Sequence, residues 1–335
     1  TLSSSSAASD VYKRQHERYL PLPDVVADSA LTALQRWARE RPTQIALRHR
    51  RLGAWKAWRW IDVQHEVERV ANGLRQQGFG PGQRLALSGA FEPSLLILAL
   101  AAHPLGGQSL VIGRDSRGDE LQRQLRQARP TFAFVQRRED VSHWLGSGLA
   151  ELWPLRLFSA QANVVSNGLW QVQPLSTLFV GEAPVAQPQG WAQGAEDDVL
   201  WVDEGTEWRE GLGHLLSRWL HHGESLAFPE TSESAGRDRR EIAPTGLLLS
   251  AAGVEALAGE IDARLAPPDS WRRRLCDWTL ENPHQGLRRW LKQRVRRLLG
   301  FHRLRRIEVP SASASVALQG PARLSWLHEY LERAA

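Results

Sequence analysis

The sequence predicts an α/β protein built from two parallel-sheet subdomains, each covered by helices. Three observations carry this. Strand-length apolar runs alternate with helix-length amphipathic stretches up to Leu145, and the pattern restarts at Val199. Such alternation builds a parallel sheet with helices on its faces. Between the two stretches the pattern breaks into scattered apolar runs with several Pro and Gly. Finally, 335 residues at 42% hydrophobic supply a sizeable core. The expected organisation is a disordered or artefactual leader over 1–19, a first subdomain over 20–150, a joining segment over 151–195 and a second subdomain over 196–335.

Leu31–Arg39 has helical periodicity and Pro42 stops it. Ile45–Arg50 and Trp55–Trp60 alternate like two strands around a turn at Leu52-Gly53. Asp62 is placed to cap a helix through Gln77, whose Val63, Val67, Val70, Ala71 and Leu74 share one face. Arg84–Ser88 is a compact buried strand. Pro93–Leu105 is apolar on nearly every side, which implies burial all round. Ser109–Gly113 and Thr131–Val135 are strands; Arg117–Arg129 and the segment from Glu139 are helices. Residues 151–195 hold one or two strands. Beyond them, strands are expected at Val199–Val202, Ser225–Phe228, Gly246–Leu249 and Leu304–Val309. Helices are expected at Gly213–His221, Val254–Leu265, Ser270–Leu280, Leu287–Leu299 and Pro321–Leu331.

Composition narrows the function classes. One cysteine, Cys276, excludes an internal disulfide framework and a Cys-based zinc cluster, so a cytoplasmic setting is expected. The longest apolar run, Leu95–Ala102, is about half of what a membrane span needs. The N-terminus is polar and Ser/Ala-rich rather than signal-like. With no Met anywhere and an aperiodic opening at Thr1–Gln15 resembling an assembly scar, the expectation is an incomplete or artificially joined reading of a longer gene. The net charge of +5 is local: Trp271–Arg306 is densely basic, with Asp277 and Glu281 its only acids.

Several phrases resemble the N-terminal part of the adenylate-forming (AMP-binding) ligases, the long-chain acyl-CoA synthetase type above all. ARERPTQIALRHRRLGAWKAWRWIDV resembles that family's opening helix and strand pair, and VANGLRQQGFGPGQRLALSG its helix, Gly-Pro-Gly turn and first core strand. DELQRQLRQARPTFAFVQ resembles the next helix and strand. EIAPTGLLLSAAGVEALAGEIDARL, SWRRRLCDW and LLGFHRLRRIEV resemble later segments, so the likeness runs in order from Leu20 to Leu331. It implies a fatty-acid–CoA ligase: ATP converts a carboxylic acid to an acyl-adenylate, and CoA takes the acyl group. ATP, Mg and CoA are the cofactors it implies, and a fatty acid or acyl group the partner.

The resemblance also implies where the chemistry departs. In the family a Ser/Thr/Gly-rich loop after a strand, ending Pro-Lys-Gly, cradles the triphosphate with amides and hydroxyls. After Val199–Val202 this sequence has Asp203-Glu204-Gly205-Thr206-Glu207-Trp208-Arg209-Glu210-Gly211. Gly205, Thr206 and Gly211 match. Asp203, Glu204 and Glu207 replace hydroxyl positions, Trp208 replaces a Gly, Glu210 replaces the Pro, and the Lys is missing. Four carboxylates would face a triphosphate, each like-charge contact near 4 Å costing about 1 kcal/mol even in water. The family's aromatic-Gly-x-Thr-Glu motif, ribose-gripping Asp and C-terminal catalytic Lys would lie beyond Ala335. Ser311–Ser315 replaces a Gly-rich stretch near the adenine, and the segment between Gly211 and Phe228 is shorter than the family's. The expectation is a catalytically inactive or incomplete ligase that binds no cofactor well. The alternative, from another class, is a non-catalytic acyl-, membrane- or partner-binding scaffold.

Other signals have plainer readings beside sharper ones. Gly78–Gly82 follows a helix and precedes a strand, the reverse of a dinucleotide fingerprint, and reads as a helix stop. His221-His222 lacks a third ligand at suitable spacing, and no metal site is expected. Cys276 sits among arginines without a recognisable base. The 15 Trp are scattered, as core and edge packing would have them. Leu287–Leu299 combines an apolar stripe (Leu287, Trp290, Leu291, Leu298, Leu299, with Val295 beside it) with Arg288, Arg289, Lys292, Arg296 and Arg297. This pattern fits a helix on an anionic membrane, peripheral to its inner face. The favoured, plainer reading is a surface helix packing its stripe on the domain with a solvated basic face. No nucleic-acid motif accompanies the charge.

Overall fold

The computed structural model describes residues 24–160, 165–181, 198–265, 267, 270–281 and 286–310. The expected leader 1–19, the Ser311–Ser315 stretch and the helix at Pro321–Leu331 lie outside them. Among the described residues two six-stranded, mostly parallel sheets form a mixed α/β structure covered by helices, as the alternation predicts.

The first sheet has the order β4-β3-β5-β6-β8-β7. Its strands are β3 (Arg84–Ser88), β4 (Gln108–Val111), β5 (Phe132–Val135), β6 (Leu155–Ser159), β7 (Val165–Asn167) and β8 (Trp170–Pro174). The second sheet has the order β12-β11-β9-β10-β1-β2. It contains β1 (Ile45–Arg51), β2 (Ala54–Arg59), β9 (Val199–Trp201), β10 (Ser225–Phe228), β11 (Gly246–Leu248) and β12 (Arg306–Glu308). Only the β1–β2 and β7–β8 pairs are antiparallel. The sheets therefore do not follow the expected division of the chain. The opening hairpin pairs through β1 with β10, 179 residues downstream at each paired position. The stretch after residue 150, expected to be a joining segment, extends the first sheet through β6 on β5.

Strand alternation explains how the layers stack. Phe132 and Phe134 of β5 join one core while Ala133 and Val135 join another. Leu200 and Val202 face the first of these cores, and Val199 and Trp201 face a third. The shared central core lies between the sheets. It holds α1 (Asp24–Glu40), α2 (Trp60–Gln76), α3 (Pro93–Ala102) and α6 (Gly211–His222). This accounts for the all-apolar α3, because a helix between two sheets has no wet side; its residues from Leu95 to Ala102 are all buried. Trp60 stacks on Trp219 at 5.0 Å between ring centroids within this layer. Outside the first sheet lie α4 (Gly118–Ala128) and α5 (Arg138–Leu145); outside the second lie α7 (Ala235–Ile242), α8 (Ala251–Arg264) and α10 (Gly286–Leu299), with α9 (Trp271–Glu281) packed on α10.

Two local expectations change. Asp62 is not the residue before the helix but lies inside its first turn. Its carboxylate accepts the Arg59 N–H at 2.9 Å and the Arg59 guanidinium at 2.8 Å, so α2 starts at Trp60. Helix α7 had no apolar stripe to reveal it. It is held instead by Asp238, fully buried, which accepts the Glu230 N–H at 3.0 Å and the Ser234 hydroxyl at 2.6 Å.

Candidate functional site

The turn at 203–211 leaves the carboxyl end of β9 and crosses to the other sheet. Gly205 bridges Ala90, in the turn after β3. The Thr206 N–H donates to the Gly89 carbonyl at 2.9 Å, and its hydroxyl accepts the Gly89 N–H at 3.1 Å. The Phe91 N–H donates to the Glu204 carbonyl at 2.9 Å. The approach is close enough to require glycine: a Cβ on Gly205 would meet the Gly89 carbonyl oxygen at 2.7 Å. Thr206 is completely buried. The Gly205-Thr206 pair is thus the staple between the sheets.

The carboxylates are not four free charges. Glu204 turns inward to the N-terminus of α8, where it accepts the Ser250 N–H at 2.7 Å and the Ser250 hydroxyl at 3.1 Å. Ser250 caps that helix, its hydroxyl accepting the Gly253 N–H at 3.0 Å. A helix N-terminus is a natural anion site, and here the protein's own carboxylate fills it. Glu207 accepts a 2.7 Å hydrogen bond from Arg114. Glu210 is exposed where α6 begins, its carbonyl accepting the His214 N–H at 3.2 Å. Trp208 stacks on His214 with centroids 6.0 Å apart and covers Gly211, where a Cβ would meet the indole. The Trp208 and Gly211 amides donate to carbonyls within the turn.

Burial raises all three inner acids. Asp203 is pushed up to about 7 by burial, which outweighs the opposing pull of Arg239 and Arg114. Glu204 and Glu207 are raised by burial against the pull of Ser250 and Arg114 respectively. The turn separates two cavities, and Asp203 lines both. One, of about 800 Å³, lies over Trp201, Leu247, Leu249 and Arg239. Trp201 Nε1 and Arg239 Nε are themselves buried and have no hydrogen-bond partner. The other, of about 750 Å³, lies between the sheets over His49, Glu92, Arg51 and Gln136. In it the His49 Nε2 stands 3.7 Å from Glu92. Burial lowers His49 to about 4 and raises Glu92 to about 7, so near pH 7 this contact is not an ion pair.

The expected basic surface divides. Arg289 and Arg297 are exposed, but Arg296 donates to the Phe301 and Leu304 carbonyls at 3.3 and 3.0 Å. Lys292 is half-buried, and the side chain of Arg288 lies outside the described residues. Leu299 is in the core with Val295 beside it, whereas Leu287, Trp290 and Leu298 are exposed. His221 and His222 are exposed at the end of α6, rings 4.8 Å apart, and no cluster of three metal-ligating side chains occurs among the described residues. The Cys276 side chain lies outside them. Gly78 and Gly82 adopt positive φ in the turn after α2, the helix stop expected. The sequence did not reveal Arg114, Ser250, Arg239, His49 or Glu92 as site residues; the one available signal was the S-A-A-G opening of a helix at Ser250, a cap pattern.

Residues 34–176 match the family model of the AMP-binding enzymes. No curated protein matches the sequence significantly. The architecture is that of the N-terminal domain of adenylate-forming ligases. An acetoacetyl-CoA synthetase from Streptomyces lividans aligns over 91% of this chain and 49% of its own, with TM-score 0.58 and 15% identity. A long-chain-fatty-acid CoA ligase from Rhodopseudomonas palustris aligns over 67% and 64%, with TM-score 0.52 and 18% identity. Coronafacic acid ligase from Pectobacterium brasiliense aligns over 72% and 53%, with TM-score 0.53 and 8% identity. This chain thus spans about half to two thirds of the length of these structures. The family match ends before the turn at 203–211.

Proposed function

We propose that this chain descends from an acyl-CoA synthetase of the long-chain type and does not itself activate acids with ATP. The ordered likeness from ARERPTQIALRHRR to LLGFHRLRRIEV supports the descent. The observation that carries the loss is Glu204 on the N-terminus of α8. A triphosphate in this turn would need free amides and hydroxyls around it. The Thr206 amide and hydroxyl, the Trp208 and Gly211 amides and the Ser250 amide are all committed inside the protein. The residues present do not fit the tail of ATP with its magnesium.

A binding role without turnover is the function this leaves. The cavity over Trp201 has an apolar wall of Leu247, Leu249 and Leu257, with the basic side chains Arg239 and Arg264 also lining it. Those features suit an acyl group with an acceptor at one end. The test is ATP–pyrophosphate exchange with a panel of fatty acids, paired with displacement of a fluorescent fatty acid. The reading expects displacement without exchange. Exchange above a no-enzyme blank would refute the loss of activation, and absence of displacement would refute acyl binding.

A further inference from the structure

We propose that the outer face of α10 docks this protein on an anionic lipid surface. The two faces of the helix do different work. Val295 and Leu299 pack on the core outside the second sheet, and Arg296 is tied to the carbonyls of the following turn. That face alone anchors the helix. On the other face Leu287, Trp290, Arg294, Arg297 and Leu298 follow spacings of three, four, three and one, which keeps them on one side. Leu287 and Leu298 are each 66% exposed and Trp290 is 54% exposed. The neighbouring α9 adds Trp271 at 67%.

Elsewhere some exposed arginines pair with acids, as Arg209 does with Glu120, Arg237 with Asp238 and Arg305 with Asp198, and others, such as Arg36 and Arg41 over Trp37, do not. Among the described residues Arg289, Arg294 and Arg297 have no ion-pair partner; Arg294 lies over Trp290 instead, 5.7 Å from the ring centroid. Residues 271–306 contain twelve basic and two acidic residues, against 42 and 37 for the whole chain. Charge therefore selects an anionic partner. The apolar content selects a lipid surface over an acidic protein or a nucleic acid. Trp and Leu interleaved with Arg on one convex helix face can enter the headgroup layer while the guanidinium groups stay at the phosphates. Phosphate backbones offer nothing for Leu287 and Leu298 to enter.

The test is flotation of the full chain with vesicles of phosphatidylcholine alone or mixed with phosphatidylglycerol. Binding is expected to the mixed vesicles only and to weaken with added NaCl. Arg294→Glu with Arg297→Glu should lower the bound fraction at least about tenfold. Leu287→Ser with Trp290→Ser should lower it severalfold at low salt. Arg75→Glu with Arg126→Glu, the same charge change on other exposed positions, should leave most binding intact. Thermal melts matching the parent keep these comparisons free of folding effects. The proposal is overturned by equal loss in the control pair, by binding insensitive to the Leu287 and Trp290 changes, or by capture on immobilised polyglutamate without vesicle binding. It is overturned too by a dimer in sedimentation equilibrium that Trp290→Ser dissociates, which would give the face to a second copy.

Discussion

The turn at 203–211 and the helix α10 are the two most charged features of the second subdomain, and they direct their charge oppositely. The turn carries four carboxylates. Glu204 is bound to Ser250, Glu207 to Arg114, and burial keeps Asp203 protonatable near neutrality. Helix α10 buries aliphatic side chains and leaves Arg289, Arg294 and Arg297 in solvent. A dense charge pattern says how much charge there is; the packing decides whether it faces a ligand or the protein itself.

Adjacent leucines of α10 offer the largest test of that contrast. Leu299 is 2% exposed and Leu298 is 66% exposed. Leu299→Ala should cost about 2–4 kcal/mol in urea unfolding, and Leu298→Ala less than about 0.5 kcal/mol. Equal losses would mean that the two faces of the helix are not distinct.

In the turn, Glu204→Ala strips the Ser250 amide and hydroxyl of their acceptor and removes the anion from the end of α8. About 2 kcal/mol of stability should be lost. If the carboxylate instead served as a repulsive charge in an open pocket, this substitution would be neutral or stabilising.

The pH dependence is smaller and has a definite sign. Asp203 and Glu92 titrate near 7 in the folded protein, above their unfolded values. Their contribution is full below the unfolded pKa and lost as pH rises through 7, because only the folded state resists ionisation. His49, lowered to about 4, acts in the opposite sense, its contribution growing between about 4 and 6.5. Above pH 6.5 only the carboxyls remain, so unfolding free energy should fall by on the order of 1–2 kcal/mol toward pH 8. Asp203→Asn should flatten that decline. A modest effect is expected for Arg114→Ala, about 1 kcal/mol, since Glu207 can take up a proton in place of its partner.

Much of the fold was legible because it depends on local periodicity. Strands β3 and β10 and the all-apolar α3 stand where their patterns put them. Helix α7 was hidden because a buried Asp238, rather than an apolar stripe, secures it. The pairing of β1 with β10 was hidden because sheet partners far apart in sequence leave no local trace. The site suffered from the same limit. Gly205 and Thr206 could be singled out, but their role depends on Gly89, 117 residues from Thr206, and Glu204 depends on Ser250, 46 residues away. In α10 the periodicity marked a stripe without telling which of its residues face inward, since Leu298 and Leu299 are chemically identical.

The account depends most on the turn's Thr206, Trp208 and Gly211 amides and the Ser250 amide being committed within the protein, with Glu204 occupying the end of α8. Isothermal titration of the full chain with ATP and magnesium tests this most directly. The expected result is no measurable heat at millimolar ATP, with Glu204→Ser unable to restore binding because Thr206 still holds Gly89. A saturable isotherm for the unaltered chain, abolished by Thr206→Val, would contradict it.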